Sequence, residues 1–160
     1  MFDADYFDKL RGRTMRVADV IPDDAFETSP IGKGFTFGDL LRHLVAIERW
    51  MYAENALGRP SRYDGYDGGG VRGKAATLAH LRELHADAME IFRSLDDEAL
   101  RRPCTTPGGA TMATWKWLRA MLEHEAHHRG QIYTYLSILG IPAPPLYGLT
   151  SEEVQARSVR

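Results

Sequence analysis

The chain has 160 residues, 44% of them hydrophobic, enough to bury one continuous core and short for two independent ones, so a single domain over 1–160 is expected. Lys and Arg total 20 against 22 Asp and Glu, and the net charge of −2 removes any bulk electrostatic reason to expect a nucleic-acid or anionic-membrane partner. Without a charged leader ahead of an apolar run, a bilayer-length apolar stretch, or more than the one cysteine, Cys104, the chain reads as cytoplasmic, with no internal disulfide and no thiolate zinc cluster.

Phe7, Leu10, Thr14, Val17 and Ile21 recur at three- and four-residue steps, which predicts a first amphipathic helix over roughly 3–21, weakened at Gly12 and stopped by Pro22. Thr36 is placed to cap a second helix, roughly 36–57, with Asp39 in its first turn and a seam of Leu40, His43, Ile47 and Trp50. The stretch Gly58 to Gly73 is too rich in glycine and turn formers to continue a helix and reads as a long connection. A third helix, roughly 75–95, carries Leu78, Leu81, Ala88, Phe92 and Leu95 on one face with His85 among them. After the loop RRPCTTPGGAT, Thr111 or Thr114 can cap a fourth helix, roughly 114–139, ended by Gly140 and Pro142. Thr150 and Glu153 have the spacing of a capping box, which points to a short terminal helix. With no alternating strand pattern, the whole reads as an all-α four-helix bundle, and its long first two connections imply at least one crossover.

The chemistry lies on the fourth helix. Trp117, Met121, His124, His128, Gln131, Tyr135 and Ile138 alternate steps of four and three and form one seam whose middle is polar. A core-facing seam normally stays apolar, because an unpartnered buried polar group costs about 1–3 kcal/mol. Histidines at i and i+4 project one turn apart from a single face, and both imidazoles can reach one ion at roughly 2.0–2.1 Å. With thiolates excluded, His43 on the inward seam of the second helix is the natural third ligand. Three imidazoles suit Zn, Ni, Cu or Fe(II) better than Mg or Ca and leave positions open for water or a small-molecule substrate. Gln131 and Tyr135 stand where they can orient a ligand from behind. The alternative is a satisfied polar network in the core. His85 reads as a packed histidine, His127 as facing solvent or a neighbouring helix, and His80 as superficial. His124-Glu125-Ala126-His127-His128 also satisfies HExxH, in which Glu125 would be a general base, but a zincin needs an adjacent strand and a downstream ligand, for which only Glu152 or Glu153 is available.

The stretch HEAHHRGQIYTYLSILGI resembles the HxxxHRGQ signature of the DinB/YfiT-like metalloenzymes, and GDLLRHLVAIERW resembles that family's second helix with its histidine. The resemblance implies a four-helix bundle of up-down-down-up topology, often a homodimer, holding a divalent metal, commonly zinc or nickel. It implies His43, His124 and His128 as ligands, and for Arg129 and Gln131, which match the RGQ part of the signature, a role in helix packing or in catalysis; it names no catalytic residue and no organic cofactor. Members of known activity include thiol-dependent isomerases and transferases that use low-molecular-weight thiols, so the implied function is a metal-dependent enzyme of unidentified substrate. The alternatives are a non-enzymatic, stress-related metal-binding dimer and an HExxH zinc hydrolase.

Overall fold

Asp3 opens the first helix of the computed structural model, which describes residues 2–66 and 68–158; its carboxylate accepts from the Tyr6 amide at 3.0 Å. Met1, Asp67, Val159 and Arg160, which fall within the expected 1–160 domain and its glycine-rich connection, lie outside the described residues. Helix α1 spans Ala4–Asp19 and α2 spans Phe37–Ile47. Thr36 caps α2 in a reciprocal box, its hydroxyl accepting from the Asp39 amide while the Asp39 carboxylate accepts from the Thr36 amide, each at 3.0 Å. A π-helical stretch, Glu48–Ala53, and the short α3, Glu54–Ala56, continue it.

Helix α4 spans Lys74–Ser94, the short α5 spans Asp97–Arg101, and α6 spans Thr114–Ile138. Helix α6 ends in a Schellman turn: Ile141 donates to the Leu136 carbonyl and Gly140 to that of Ser137, with Gly140 at φ 67°. A terminal α7, Ser151–Ser158, is opened by the Thr150–Glu153 box.

Between α5 and α6 the chain forms a small hairpin of β1, Pro103–Thr105, and β2, Thr111–Ala113, paired antiparallel. Three-residue strands are too short to announce themselves by alternation, and this hairpin corrects the strand-free expectation. It also removes both proposed caps for α6: Thr111 lies in β2, and Thr114 is already the first helical residue, its hydroxyl donating to the Arg102 carbonyl at 2.8 Å, so Ala113 takes the cap position without a side-chain bond.

Two apolar clusters fix the chain directions. One joins Val17, Ala18 and Ile21 near the end of α1 to Ile132, Tyr135 and Leu136 near the end of α6, together with Leu40, Leu41, Leu78 and Leu81 from the first halves of α2 and α4. The other joins Phe7, Leu118 and Met121 to Met51, Tyr52, Met89 and Phe92. Helices α1 and α6 therefore run one way and α2 and α4 the other, which is the up-down-down-up bundle. α1 packs against α4 and α6, and α2 against the same two. The connection from α1 to α2 thus crosses to the diagonal position. Among the described residues no helix is long and apolar enough to cross a membrane.

Between the clusters lies a polar layer. Arg11, Glu48 and Glu125 are only 2%, 1% and 1% exposed. Arg11 pairs with both carboxylates, the Thr14 hydroxyl donates to Glu125, and His85 Nδ1 lies 2.7 Å from Glu48 Oε1. Glu48 stands one turn beyond buried Leu44 on the same face of α2, which turns its carboxylate into this layer, while Met51 and Tyr52 of the π-helical stretch join the second cluster and Trp50 lies half-buried beneath Arg49 and Arg62.

Candidate metal centre

Antiparallel packing of α2 on α6 sets His43 opposite the His124–His128 pair. Three imidazoles converge: Nε2 of His124 lies 3.0 Å from Nε2 of His43 and 3.0 Å from Nε2 of His128. One ring nitrogen from each residue lies within 4.8 Å of the other two. Nitrogens bound to one tetrahedral zinc at ordinary bond lengths stand roughly 3.3 Å apart, so the spacing fits a shared ion.

The outer ring nitrogens have their own partners. Nδ1 of His128 lies 2.6 Å from Oε1 of Gln131, and Nδ1 of His43 lies 2.8 Å from the Tyr63 hydroxyl. An amide oxygen only accepts, so Nδ1 of neutral His128 carries the proton and Nε2 presents its lone pair. If Nδ1 of His43 likewise donates to Tyr63, a single Nε2 proton on His124 has to serve two acceptors. A cation at the centre relieves that shortage, which makes the donor set a fit for a metal.

Electrostatics favour the same state. Burial, and then the neighbouring imidazole of His128, pushes His43 down to about 4; burial and the surrounding rings push His124 down to about 3. Burial also lowers His128, against the opposing pull of its bond to Gln131. All three are thereby kept in the neutral form that can ligate. Phe35 stacks on His43 with ring centroids 5.7 Å apart, Tyr66 meets Phe35 edge-on at 4.8 Å, and Tyr52 lies 6.4 Å from the His124 ring. An aromatic wall thus encloses the triad.

The sequence matches the DinB superfamily over residues 6–132. The chain belongs to that superfamily. YfiT from Bacillus subtilis, described as a probable metal-dependent hydrolase with an unusual four-helix bundle topology, superposes with a TM-score of 0.69 at 19% identity, covering 87% of this chain and 86% of its own. A DinB-like protein from the same organism gives 0.71 at 17% identity, covering 92% of this chain and 98% of its own. A variant of a mycothiol-dependent maleylpyruvate isomerase gives 0.61 at 15% identity, covering 82% of this chain and 61% of its own. No curated protein matches the sequence.

Within this DinB bundle the remaining candidate residues take other positions. Tyr135 packs edge-on against Phe37 at 5.5 Å in the first apolar cluster. Glu125 follows His124 in sequence but points to α1, where Arg11 and Thr14 engage its carboxylate, away from a general base's place. Glu152 and Glu153 sit on the exposed α7, and Glu153 accepts from the Thr150 amide. Arg129 is buried and donates to the Leu10 carbonyl at 3.3 Å, tying α6 to α1. His127 is exposed beside His128, His85 lies between Glu48 and Asp8, and His80 lines a surface cleft with Trp50, Arg62 and Asp64. Cys104 is buried in β1, and burial raises its thiol. Sequence reasoning missed Tyr63, which comes from the glycine-rich connection where no helical period marks it.

Proposed function

We propose that this protein is a metal-dependent enzyme of the DinB superfamily in which His43, His124 and His128 hold one divalent transition ion, zinc or nickel being the metals the family resemblance implies. The observation that carries the reading is the convergence of three Nε2 atoms from two helices. When bound, such an ion lowers the pKa of a coordinated thiol or water and polarises a carbonyl. Three protein ligands leave room for that second partner. Gln131 orients His128, and the aromatic wall of Phe35, Tyr52 and Tyr66 limits water around the reacting group.

Transfer or isomerisation dependent on a low-molecular-weight thiol is the reaction class we assign, in a homodimer. It is supported by the similarity to a bundle described as mycothiol-dependent, while the similarity to a probable metal-dependent hydrolase makes water the competing nucleophile. Elemental analysis of the purified protein and of His128→Ala tests the site: one metal per wild-type chain and loss in the variant are expected, and equal metal content in both refutes it. With cobalt in the site, a change in the visible spectrum on adding a small thiol is expected. A spectrum unmoved by thiol and by exchangeable anions means a closed coordination sphere and a non-enzymatic role.

A further inference from the structure

Tyr63 stands in the connection between α3 and α4, yet its hydroxyl meets the only candidate ligand that α2 supplies. The chain leading to it is fastened to the π-helical stretch. The Arg62 amide donates to the Trp50 carbonyl at 2.7 Å, the Arg62 guanidinium donates to buried Glu54 at 2.8 Å and lies over the Trp50 ring at 4.6 Å, and the Ser61 hydroxyl reaches the same carbonyl. Beyond Tyr63, Gly65 takes φ 124°, a conformation closed to side-chain-bearing residues, and Tyr66 closes edge-on against the Phe35 that stacks on His43. The segment therefore grips His43 twice, at Nδ1 through Tyr63 and over the ring face through Tyr66 and Phe35.

We infer that Tyr63 is a positioning residue for His43, and that residues 61–66 form a strap whose seating and metal binding favour each other. For Nε2 of His43 to present a lone pair, Nδ1 must carry the proton and donate it to the Tyr63 oxygen, so the phenol selects the ligating tautomer and fixes the ring's rotation. Linkage makes the effect mutual: whatever the seated strap adds to metal affinity, bound metal returns as protection of the strap. The inference rests on the three-histidine metal reading proposed above.

The test uses the full-length protein and zinc. Tyr63→Phe keeps the ring and its packing while deleting the hydroxyl, and Tyr147→Phe, at an exposed ring outside the strap and the aromatic wall, serves as the comparison. Competition with a chromophoric chelator should show zinc held 10- to 100-fold more weakly by Tyr63→Phe. Tyr147→Phe should match wild type, and the metal-free thermal midpoints of all three should agree. Hydrogen exchange in residues 61–66 should slow on adding zinc to wild type and slow less in Tyr63→Phe. Unchanged zinc affinity in Tyr63→Phe, or exchange in the strap indifferent to zinc, overturns the inference while leaving the metal site standing. Absence of stoichiometric zinc from wild type instead overturns the metal reading, and the inference with it. If Tyr63→Phe is poorly folded, the exchange measurement on wild type alone decides.

Discussion

Oε1 of Gln131 lies 2.6 Å from Nδ1 of His128, one turn further along α6, so a single helix carries a ligating imidazole and the group that orients it. Replacing Gln131 with Ala leaves His128 free to rotate and to exchange tautomers, and zinc affinity should fall about 10- to 100-fold. Replacing it with Glu supplies a charged acceptor, makes the imidazole more basic and should restore tight binding. Zinc competition on both variants checks this; equal affinities across wild type, Gln131→Ala and Gln131→Glu would show that the bond does nothing for the metal.

The depressed histidines make the metal-free protein sensitive to acid. An unfolded histidine takes up its proton near 6.5, whereas native His43 and His124 resist until about 4 and about 3. Below 6.5 the unfolded state therefore binds more protons, and the stability present above that pH is lost progressively as pH falls through the folded values. Urea midpoints of chelator-treated protein should drop between pH 7 and pH 5. The double variant His43→Gln/His124→Gln should show a shallower drop over the same interval, and an identical slope would remove the triad as the cause.

The residues of α6 were legible because helical periodicity is a strong signal and because two histidines interrupt an otherwise apolar seam at ligand spacing. Thr36, Gly140 and Thr150 were legible for a related reason: caps are local chemistry, set within three or four residues. Glu48 and Trp50 were not. Trp50 reads as part of the inward seam yet is only half-buried, in a π-helical stretch that nothing in the residue pattern announces, and Glu48 carries no periodic signal that would mark it as a buried acid. Tyr63 escaped because its partner is 20 residues away and its position depends on Arg62 and Ser61 reaching back to Trp50. Arg11, Glu48 and Glu125 come from three separate elements, and their mutual neutralisation exists only once the bundle has assembled.

That assembly makes the buried layer costly to break. Arg11→Met keeps much of the side-chain volume but strands Glu48 and Glu125 in the core without their shared cation. A loss of about 3–5 kcal/mol is expected when one member of a buried pair is removed. Glu125→Gln should cost less, since Arg11 retains Glu48 and the amide oxygen can still accept from Thr14. Urea unfolding at pH 7 measures both, and an Arg11→Met protein as stable as wild type would show the carboxylates taking up protons or water at little cost.

Gly38, in the first turn of α2, sits against the clamp that holds the α1–α2 connection. Arg42 is 1% exposed and donates through both terminal nitrogens to Glu27 at 2.8 Å, as well as to Asp39 and Thr77, while Glu27 also accepts from the Gly73 amide. A methyl group at position 38 would stand 2.8 Å from Arg42 Nη1 and from Glu27 Oε2. Helix propensity alone predicts that Gly38→Ala gains about 1 kcal/mol. Against this, the guanidinium is held on several sides, and displacing it disrupts charged hydrogen bonds worth about 1.5–3 kcal/mol each. The net expectation is a loss of about 1–2 kcal/mol in urea unfolding. Because Phe35, which stacks on His43, lies in the clamped connection, zinc affinity should weaken too. A Gly38→Ala protein stabilised by about 1 kcal/mol, the full propensity gain, would mean that Arg42 yields freely and that the clamp contributes little to placing Phe35.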